Sequence, residues 1–581
     1  MGLFCPDARA DRTPVPHAGH QHSRTAAANR PAGPAIPAVQ RPGLPRRGLH
    51  GGGFYGKIKI RFGRFAALFA FLGAARTLFA GEGCATLFTR FAFWGFFAVV
   101  FALYWALPHR LRWCCLLAAD LLFYVVSGSL RLAFALVVPV LVSWGGALML
   151  QRLRQKNARR AVQRLTLAVG CLLCLSFLLF YKYSGFLAGL LGLPAAAALQ
   201  RLALPFGVSY YTLQTVSYLA DVAAGRCRAE THLGYYAVSV TFFPLMLTGP
   251  IERPAALLPQ LRAPRRFDER QAAAGVILAV WGLFEKLTVA NILGSFVDAG
   301  FDHPAAVSGL SLLVCAVLYS LQIYCDFAGY SNLARGTALL LGLQVTQNFR
   351  QPYFSGSFRT FWSRWHISLS GWLRDYVYIP LGGSRCARPR QLFNLLVTFA
   401  VSGLWHGANL CFAAWGLLHG LYQCIGRLTA RLRDGLWRRW ESRTRLPRTA
   451  PVFALLRVVF IFALTAFAWV FFRVGSSTSA EAPAQLATVW SILRKIAADF
   501  TLQLQPWKEA LVLLRFDVGY LLRMVFLLAV VAFADWKSRP AGLEDWVLGL
   551  APWARLALGW GIALCILFFG VDTGAPIYFQ F

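Results

Sequence analysis

Two histidines are the residues of this chain best suited to carry out chemistry. His366 lies in the stretch RWHISLSGWLRDYVYIPLGG and His406 lies in the stretch VSGLWHGAN, and both have tryptophan and other apolar neighbours. A histidine accepts and donates protons near neutral pH, which makes it the side chain most often used in general acid or base catalysis. An ionisable group is costly to keep in an apolar segment, so both positions are candidates for proton transfer.

The segment that contains His406 predicts two helices that enter a membrane and return. Only about fourteen apolar residues separate His406 from the basic loop that ends at Arg390, which is short for a complete crossing. A second apolar stretch leads back to the basic loop that begins at Arg427. At about 1.5 Å per residue, His406 would lie up to about 22 Å from the membrane surface. The alternative is a histidine that only forms a hydrogen bond with a neighbouring helix.

The stretch around His366 has the periodicity of an amphipathic helix. Apolar residues fall on one helical face and polar or small residues on another; the two sets are Trp365, Leu369, Trp372 and Tyr376, and Arg364, Ser368, Gly371 and Asp375. The same pattern is typical of a helix in the plane of the membrane interface, with its tryptophans at headgroup level and His366 without a chemical role. The periodicity by itself leaves both interpretations open.

Further polar residues precede the two histidines. The sequence YCDFAGYSN (324–332) ends an apolar run, and NFRQPY (348–353) follows one short helix later. An aspartate in that position is suited to cap the next helix. The ionisable residues of this part of the chain are close enough in sequence to predict one shared polar cavity, lined by Asp326, Arg350, Arg364, His366, Arg374, Asp375 and His406.

The composition indicates that these residues belong to a membrane protein. Of 581 residues, 57% are hydrophobic and 14% are charged. Apolar runs long enough to cross a hydrocarbon core of about 30 Å recur along the chain, near residues 91–107, 111–127, 131–150, 163–182, 272–298, 306–325, 452–473, 517–534 and 555–571. Because only helices satisfy their own backbone in lipid across so many runs, the sequence predicts an all-α polytopic membrane protein with roughly 11–13 transmembrane or re-entrant helices.

The formal charge of +34 collects in short connections between the apolar runs. These basic connections are residues 151–160, 262–266, 384–390, 427–448 and 536–540. Such a distribution is typical of cytoplasmic loops, so it predicts a multi-pass protein of a cell membrane and argues against a nucleic-acid partner. The basic loops also suit the headgroups of anionic membrane lipids.

The N-terminal part of the chain differs from the remainder. Residues 1–60 are predicted to form a disordered basic segment rich in proline and alanine, and residues 61–581 an integral membrane domain. The N-terminal segment lacks the order of regions found in a signal peptide, and a wrongly assigned translation start is an alternative to a functional tail. The one CxxC pair, Cys171 and Cys174, lies in an apolar run, where packing is a simpler interpretation than redox or metal chemistry. No metal site is predicted.

Several longer motifs resemble the membrane-bound O-acyltransferase (MBOAT) family, and within it the bacterial alginate O-acetylase-like branch. They include LPFGVSYYTLQTVSYLADV (204–222), FFPLMLTGPIERP (242–254), YCDFAGYSNLARG (324–336), the stretch 348–383 and VSGLWHGANLCFAAWGLLHG (401–420). The motif-bearing core covers residues 204–426, and the likeness extends from about residue 85 to the C-terminus. The resemblance implies a ring of helices around a central acyl-transfer tunnel, with the donor on the cytoplasmic side.

The resemblance also implies roles for single residues. His406 corresponds to the buried catalytic histidine of the family, and His366 to the second histidine near it. A hydroxyl attacks a thioester carbonyl only when a base takes its proton, so His406 is the candidate base, and His366 would orient the donor or stabilise the oxyanion. The candidates for positioning the substrate are Asp326, Arg350, Arg364, Arg374, Asp375 and Asn409.

The substrates implied by this branch are acetyl-CoA, with no tightly bound cofactor, and an exported or cell-wall polysaccharide. An extracytoplasmic SGNH-hydrolase-like transferase is the implied partner protein. Two alternatives stay open. One is transfer of D-alanine to a polymer of the teichoic acid type, and the other is a transport protein that moves a lipid-linked glycan without chemistry.

The C-terminal sequence PIYFQF contains a candidate acyl carrier. Related envelope-acylating systems use a tyrosine in a similar C-terminal motif, which implies that role for Tyr578, because a phenyl ester stays activated for a second transfer. Pro576 stands where an aromatic residue is expected in that motif. The alternative is an aromatic anchor at the membrane interface.

Overall fold

The computed structural model describes residues 88–127, 132–246, 248–477, 482–499, 518–539 and 541–571. Throughout these residues the chain forms helices joined by turns and contains no β-strand, which confirms the predicted all-α fold class. The predicted disordered segment 1–60 and the candidate carrier Tyr578 lie outside the described residues. The division into an N-terminal segment and a membrane domain therefore stays a prediction.

The helices are numbered in chain order. The first part of the chain contains α1 Phe91–Ala106, α2 His109–Ser127, α3 Phe134–Gln155, α4 Arg160–Leu190, α5 Ala196–Gln200, α6 Val208–Ala224, α7 Leu233–Thr241, α8 Phe243–Met246 and α9 Pro254–Arg262. The middle part contains α10 Glu269–Phe301, α11 Gly309–Leu340, α12 Phe358–Trp362, α13 Ile367–Leu373, α14 Arg388–His406 and α15 Leu410–Leu428. The last part contains α16 Ala430–Thr444, α17 Pro451–Ser476, α18 Ala482–Ala498, α19 Val518–Ser538, α20 Leu543–Leu548 and α21 Pro552–Phe569.

Seven helices of the described part are long and apolar enough to cross a membrane. They are α3, α4, α10, α11, α17, α19 and α21, and each overlaps one of the predicted apolar runs over most of its length. The predicted total of 11–13 segments also counts shorter and re-entrant helices, which the chain supplies in α1, α2 and the pair α14 and α15. The protein is therefore a multi-pass membrane protein.

Helices α10 and α11 form the centre of the helical assembly. In their apolar windows 72% and 78% of the residues are buried, compared with 17% in α4 and 6% in α21. The two central helices also share polar contacts, because Lys286 donates to Asp326 at 2.5 Å and Asn332 donates to Glu285 at 2.8 Å. A helix that is apolar all round and buried all round is an inner helix. Peripheral helices such as α4 and α21 expose their apolar residues outward.

Asp326 does not cap a helix, which corrects one of the roles predicted for it. The helix α11 continues past Asp326 as far as Leu340. The carboxylate forms an ion pair with Lys286 of α10, and both side chains are almost fully buried. Because the polar group finds its partner on a neighbouring helix, the apolar run does not have to end there.

The stretch around His366 is a shorter helix than its periodicity predicts. Helix α13 begins only after His366, so Trp365 precedes it. Trp365 is 1% exposed and Trp372 is 8% exposed, and Trp365 packs against Trp469 of α17 with ring centroids 5.0 Å apart. The interpretation of these tryptophans as anchors at the membrane interface is therefore wrong, because they belong to the protein interior.

Candidate active site

Helices α14 and α15 form a hairpin whose turn follows His406 directly. His406 is the last residue of α14, and the side chain of Asn409 accepts a hydrogen bond from the Phe412 backbone N–H at 3.0 Å as the N-cap of α15. The amide nitrogen of the same side chain donates to the Gly475 carbonyl of α17 at 2.7 Å. The predicted pair of helices with a turn after His406 is confirmed. The role of Asn409 toward a substrate stays a prediction.

Glycines allow α14 and α15 to approach each other closely near His406. A Cβ atom on Gly403 would overlap the Phe412 carbonyl group, and one on Gly416 would overlap the Phe399 carbonyl oxygen. The obstructing atoms belong to the backbone, so a change of side-chain rotamer cannot relieve the overlap. Small residues at the interface are the usual means by which membrane helices reach such spacing. The position of His406 therefore depends on these two glycines.

Gly403→Ala is expected to destabilise the protein by about 1–3 kcal/mol, because the added methyl group must push the two helices apart. Activity should fall as well, since the same movement displaces His406. Gly426→Ala is the matched control, because a Cβ atom at Gly426 on α15 meets nothing within 4 Å. The measurement is the melting temperature of the purified protein in detergent together with its rate of acyl transfer. Equal melting temperatures for the two variants would contradict the close packing.

The ring of His406 is buried among aromatic side chains. The residue is 3% exposed, and its ring centroid lies 5.0 Å from Trp405, 5.2 Å from Trp415 and 5.3 Å from Phe472. These neighbours belong to α14, α15 and α17, so three helices fix the position of the ring. Electrostatic interactions are stronger in such an apolar surrounding than in water. A reacting polar group beside His406 would therefore interact strongly with its imidazole.

The backbone of His366 adopts a conformation that residues other than glycine rarely take. Its φ is 44°, in the left-handed region. Asn348 holds the chain immediately after it, because the Asn348 carbonyl accepts the Ile367 N–H at 3.0 Å and the Asn348 side chain accepts the Ser368 hydroxyl at 2.7 Å. Such strain persists where the surroundings over-determine a residue, and it is common at active sites.

The two histidines lie side by side in the protein interior. Their ring centroids are 6.3 Å apart, and His366 is 1% exposed. Trp405 packs against both rings, and Phe327 of α11 packs against His366 at 4.6 Å. A reacting group between the rings would reach both imidazoles. One ring would be able to take a proton while the other stabilises developing charge.

Two residues outside the predicted set support the end of α14. Lys182 Nζ donates to the carbonyl oxygens of Trp405 and His406 at 2.7 and 3.0 Å, and the Tyr183 hydroxyl donates to that of Leu404 at 2.7 Å. The last carbonyls of a helix lack partners within it, and a cation there also balances the helix dipole. Both residues lie in a π-helical turn of α4. The sequence signal that could have identified this site is a single lysine, Lys182, between two apolar stretches. The predicted apolar run 163–182 ended at this lysine, whereas the helix continues to Leu190.

Arg374 and Asp375 form an ion-pair cluster with Arg253. The Asp375 carboxylate accepts hydrogen bonds from Arg253 at 2.5 Å and from Arg374 at 2.7 Å. Burial alone raises the pKa of Asp375, but the hydrogen bonds from Arg374 and Arg253 outweigh that effect and lower the pKa, so the group is ionised at neutral pH. Asp375 thus neutralises arginine charge at this place.

The remaining predicted positioning residues make separate contacts. Asp326 pairs with Lys286. The exposed Arg350 donates a hydrogen bond from its side chain to the Gln347 side chain at 3.2 Å, and its backbone N–H donates to the backbone carbonyl of the half-buried Arg364.

A small polar cavity between α10, α11, α19 and α20 is lined by other side chains, among them Glu285, Tyr324, Asn332, Arg335, Asp535 and Glu544. The predicted residues therefore do not line that cavity, and their roles toward substrate stay predictions. Within the described residues, no group of three or more His, Cys, Asp or Glu side chains is arranged to hold a metal ion.

Comparison with known proteins gives a consistent result. The family model described as MBOAT, membrane-bound O-acyltransferase family, matches residues 198–472, which include both histidines. The chain is 32% identical to the "Probable alginate O-acetylase AlgI" of Pseudomonas aeruginosa over 455 residues, which is 77% of this chain and 81% of that protein. It is 31% identical to the "Peptidoglycan O-acetyltransferase" of Helicobacter pylori over 348 residues, covering 55% of this chain and 64% of the relative. It is 29% identical to the "Teichoic acid D-alanyltransferase" of Streptococcus thermophilus over 231 residues, covering 37% and 55%.

The multi-pass helical fold and these relatives define the class of the protein as a membrane-embedded acyltransferase. More narrowly, the chain belongs to the membrane-bound O-acyltransferase family. The resemblance noted in the sequence motifs is thereby confirmed.

Proposed function

We propose that this protein takes an acetyl group from acetyl-CoA, a thioester donor on the cytoplasmic side, for the O-acetylation of an exported or cell-wall polysaccharide. The observation that carries the proposal is the buried pair of His366 and His406, with ring centroids 6.3 Å apart, in a chain of the O-acyltransferase family. Two relatives bear the names of O-acetylating enzymes, which favours acetate as the acyl group.

The proposed reaction is the attack of a hydroxyl on the thioester carbonyl. His406 takes the hydroxyl proton as the new C–O bond forms. Negative charge develops on the carbonyl oxygen, and His366 stabilises it through a hydrogen bond. The C–S bond then breaks, and the thiolate leaves with the proton returned by His406. Every bond and proton of the proposed acyl transfer is thus accounted for by the hydroxyl, the thioester and His406, and no further reactant is needed.

The proposed location is the plasma or inner membrane of a bacterium, with the basic connections on the cytoplasmic side. The excess of arginine in residues 384–390 and 427–448, which flank the hairpin α14 and α15, supports this orientation. The same arginines suit the phosphates of a CoA donor. On the opposite side, a separate SGNH-hydrolase-like transferase would pass the acetyl group to the polysaccharide.

Tyr578→Phe is expected to abolish acetylation of the acceptor polymer, if the hydroxyl of Tyr578 is the first acceptor of the acetyl group. The substitution removes only that hydroxyl and keeps the aromatic ring, so an anchor at the membrane interface would be unaffected. The measurement is the ester-linked acetate of the cell envelope, compared with cells that carry the unchanged protein at the same level. An unchanged ester content would discard the carrier role and leave the anchor.

The proposed function is tested by the acyl groups that mild alkali releases from envelope polysaccharides. Cells with the intact protein are compared with cells that carry His406→Ala at equal protein level. A loss of acetate supports the proposal, and the polymer that lost it identifies the acceptor. A loss of D-alanine instead would favour the second candidate, which the similarity to a teichoic acid D-alanyltransferase supports. If neither group changes, a transport protein without chemistry becomes the better explanation.

A further inference from the structure

Helix α16 carries an apolar stripe that the described part of the chain leaves about half exposed, with one contact, between Trp440 and Phe453. Leu432, Leu436 and Trp440 recur at every fourth position, so they lie along one side of the helix. They are 64%, 54% and 45% exposed. A helix face exposed to water usually carries polar residues. An exposed apolar stripe instead marks a surface that contacts a partner or a membrane.

The stripe on α16 continues a stripe of exposed apolar residues on α15. That preceding stripe consists of Leu417, Leu421, Ile425 and Leu428, which are each about half exposed. Only Thr429 separates the two helices, and the spacing of three or four residues is kept across the junction. In a membrane protein the outward apolar residues of such a helix contact lipid. The surface of α16 is therefore continuous with the lipid-facing surface of α15.

The depth of α16 follows from its contacts with the spanning helix α17. On α15, Tyr422 donates a hydrogen bond to the carbonyl of Leu464, near the middle of α17. On α16, Trp437 packs against Phe453 in the first turn of α17, with ring centroids 4.9 Å apart. Because Phe453 lies at the end of a helix that is long enough to cross the membrane, α16 lies at the level of the membrane boundary.

The charge of α16 is complementary to anionic headgroups. The helix contains five arginines and two acidic residues. Both acidic residues already have a partner in Arg448, just after the helix. The Arg448 guanidinium donates a hydrogen bond to the Asp434 carboxylate at 2.8 Å, and the Arg448 backbone N–H donates one to the Glu441 carboxylate at 2.5 Å. The arginines therefore dominate the outer surface, and two of them, Arg439 and Arg443, flank the apolar stripe. Arginines beside an apolar stripe at the membrane boundary are the pattern of an interfacial helix.

We propose that α16 is a binding surface for anionic phospholipid headgroups, with Leu432, Leu436 and Trp440 inserted among the acyl chains and Arg439 and Arg443 bound to phosphates. Lipid held there would fix the start of α17 and the end of α15, and α15 is the second arm of the hairpin that turns after His406. This proposal does not depend on the identity of the acyl donor or acceptor.

A photo-crosslinking amino acid at position 436 of the full-length protein identifies what covers the stripe. The matched control carries the same amino acid at Ser442, which is exposed and lies about 120° around the helix from Leu436. The expected result, in native membranes, is an adduct with the mass of a phospholipid at position 436 and a much lower yield at position 442. An adduct with another protein at position 436, or equal lipid yields at both positions, would overturn the proposal.

The preference for negative charge is tested with the pair of substitutions Arg439→Gln and Arg443→Gln. The full-length protein is reconstituted into vesicles of phosphatidylcholine and phosphatidylglycerol, extracted with detergent, and analysed for retained lipid by native mass spectrometry. The ratio of retained phosphatidylglycerol to phosphatidylcholine should fall roughly fivefold for each arginine lost. The conservative pair Arg439→Lys and Arg443→Lys should keep most of the preference, because the charges remain. A ratio that is unchanged in the glutamine pair would show that α16 binds lipid without regard to charge and would contradict the proposal.

Discussion

Replacing His406 with phenylalanine is expected to lower the rate of acyl transfer roughly 10²–10⁴-fold, the range for loss of a general base. Phenylalanine keeps a flat ring of similar size among Trp405, Trp415 and Phe472, so the packing of the hairpin is largely retained. It cannot take a proton, which is the property that the mechanism requires. The measurement is the rate per amount of folded protein, with acetyl-CoA as donor and the melting temperature as a check of the fold.

His419 provides a matched control on the same hairpin. It is fully buried on α15, with its ring centroid 5.1 Å from both Trp362 and Trp415. Among the described residues neither of its ring nitrogens has a hydrogen-bond partner, so phenylalanine at that position loses no hydrogen bond seen in the structure. His419→Phe is expected to keep the rate of the unchanged protein. Equal losses in the two variants would show that ring burial sets the rate, and would remove His406 from the mechanism.

Replacing Lys182 with methionine is expected to lower kcat roughly 10–100-fold with a smaller change in KM. Methionine has a similar length but cannot donate to the carbonyls of Trp405 and His406, which Lys182 holds at 2.7 and 3.0 Å. The last turn of α14 would then lose its fixed position, and a displacement of about 1 Å at a catalytic group costs up to about 100-fold in rate. Steady-state kinetics and the melting temperature are measured on the same preparations.

Two further variants separate positioning from simple loss of stability. Lys182→Arg should recover part of kcat, because a guanidinium also donates to carbonyl groups. Lys156→Met, at the exposed turn after α3, should change neither kcat nor the melting temperature. If Lys182→Met lowers only the melting temperature while the folded protein turns over at the normal rate, Lys182 supports the fold and does not position His406.

Several features of the site could be predicted from the sequence because they depend on local properties. The turn after His406 follows from two apolar stretches between two basic loops, and the structure has α14 and α15 there. The length of an apolar run is set by the thickness of the membrane, so most predicted runs became helices with similar bounds. The motif that contains His366 contributed to the family resemblance, although the helix there is shorter than the helix that the periodicity predicted.

Other features could not be predicted because they depend on which helices become neighbours. The helical period of residues 364–376 suggested one amphipathic helix, but the strained backbone at His366 interrupts it. Asp326 lies where an N-cap would be expected, yet Lys286 on another helix pairs with it. Tryptophan is a residue type that often anchors a helix at the membrane interface, but Trp365 is packed against Trp469 in the interior. In each case a contact between residues distant in sequence outweighed the local preference.

By itself the sequence determined that this protein is a multi-pass helical acyltransferase and that His366 and His406 are its candidate catalytic groups. The length of an apolar run, the charge of a loop and the order of motifs are properties of short segments. They can be read from the sequence without knowing which helices pack together. Only the tertiary structure decided that the two imidazoles lie side by side and that Lys182 and Tyr183 hold the end of α14. The physical reason is that a buried helix end must find hydrogen-bond partners wherever the fold provides them, and those partners come from segments far away in the chain.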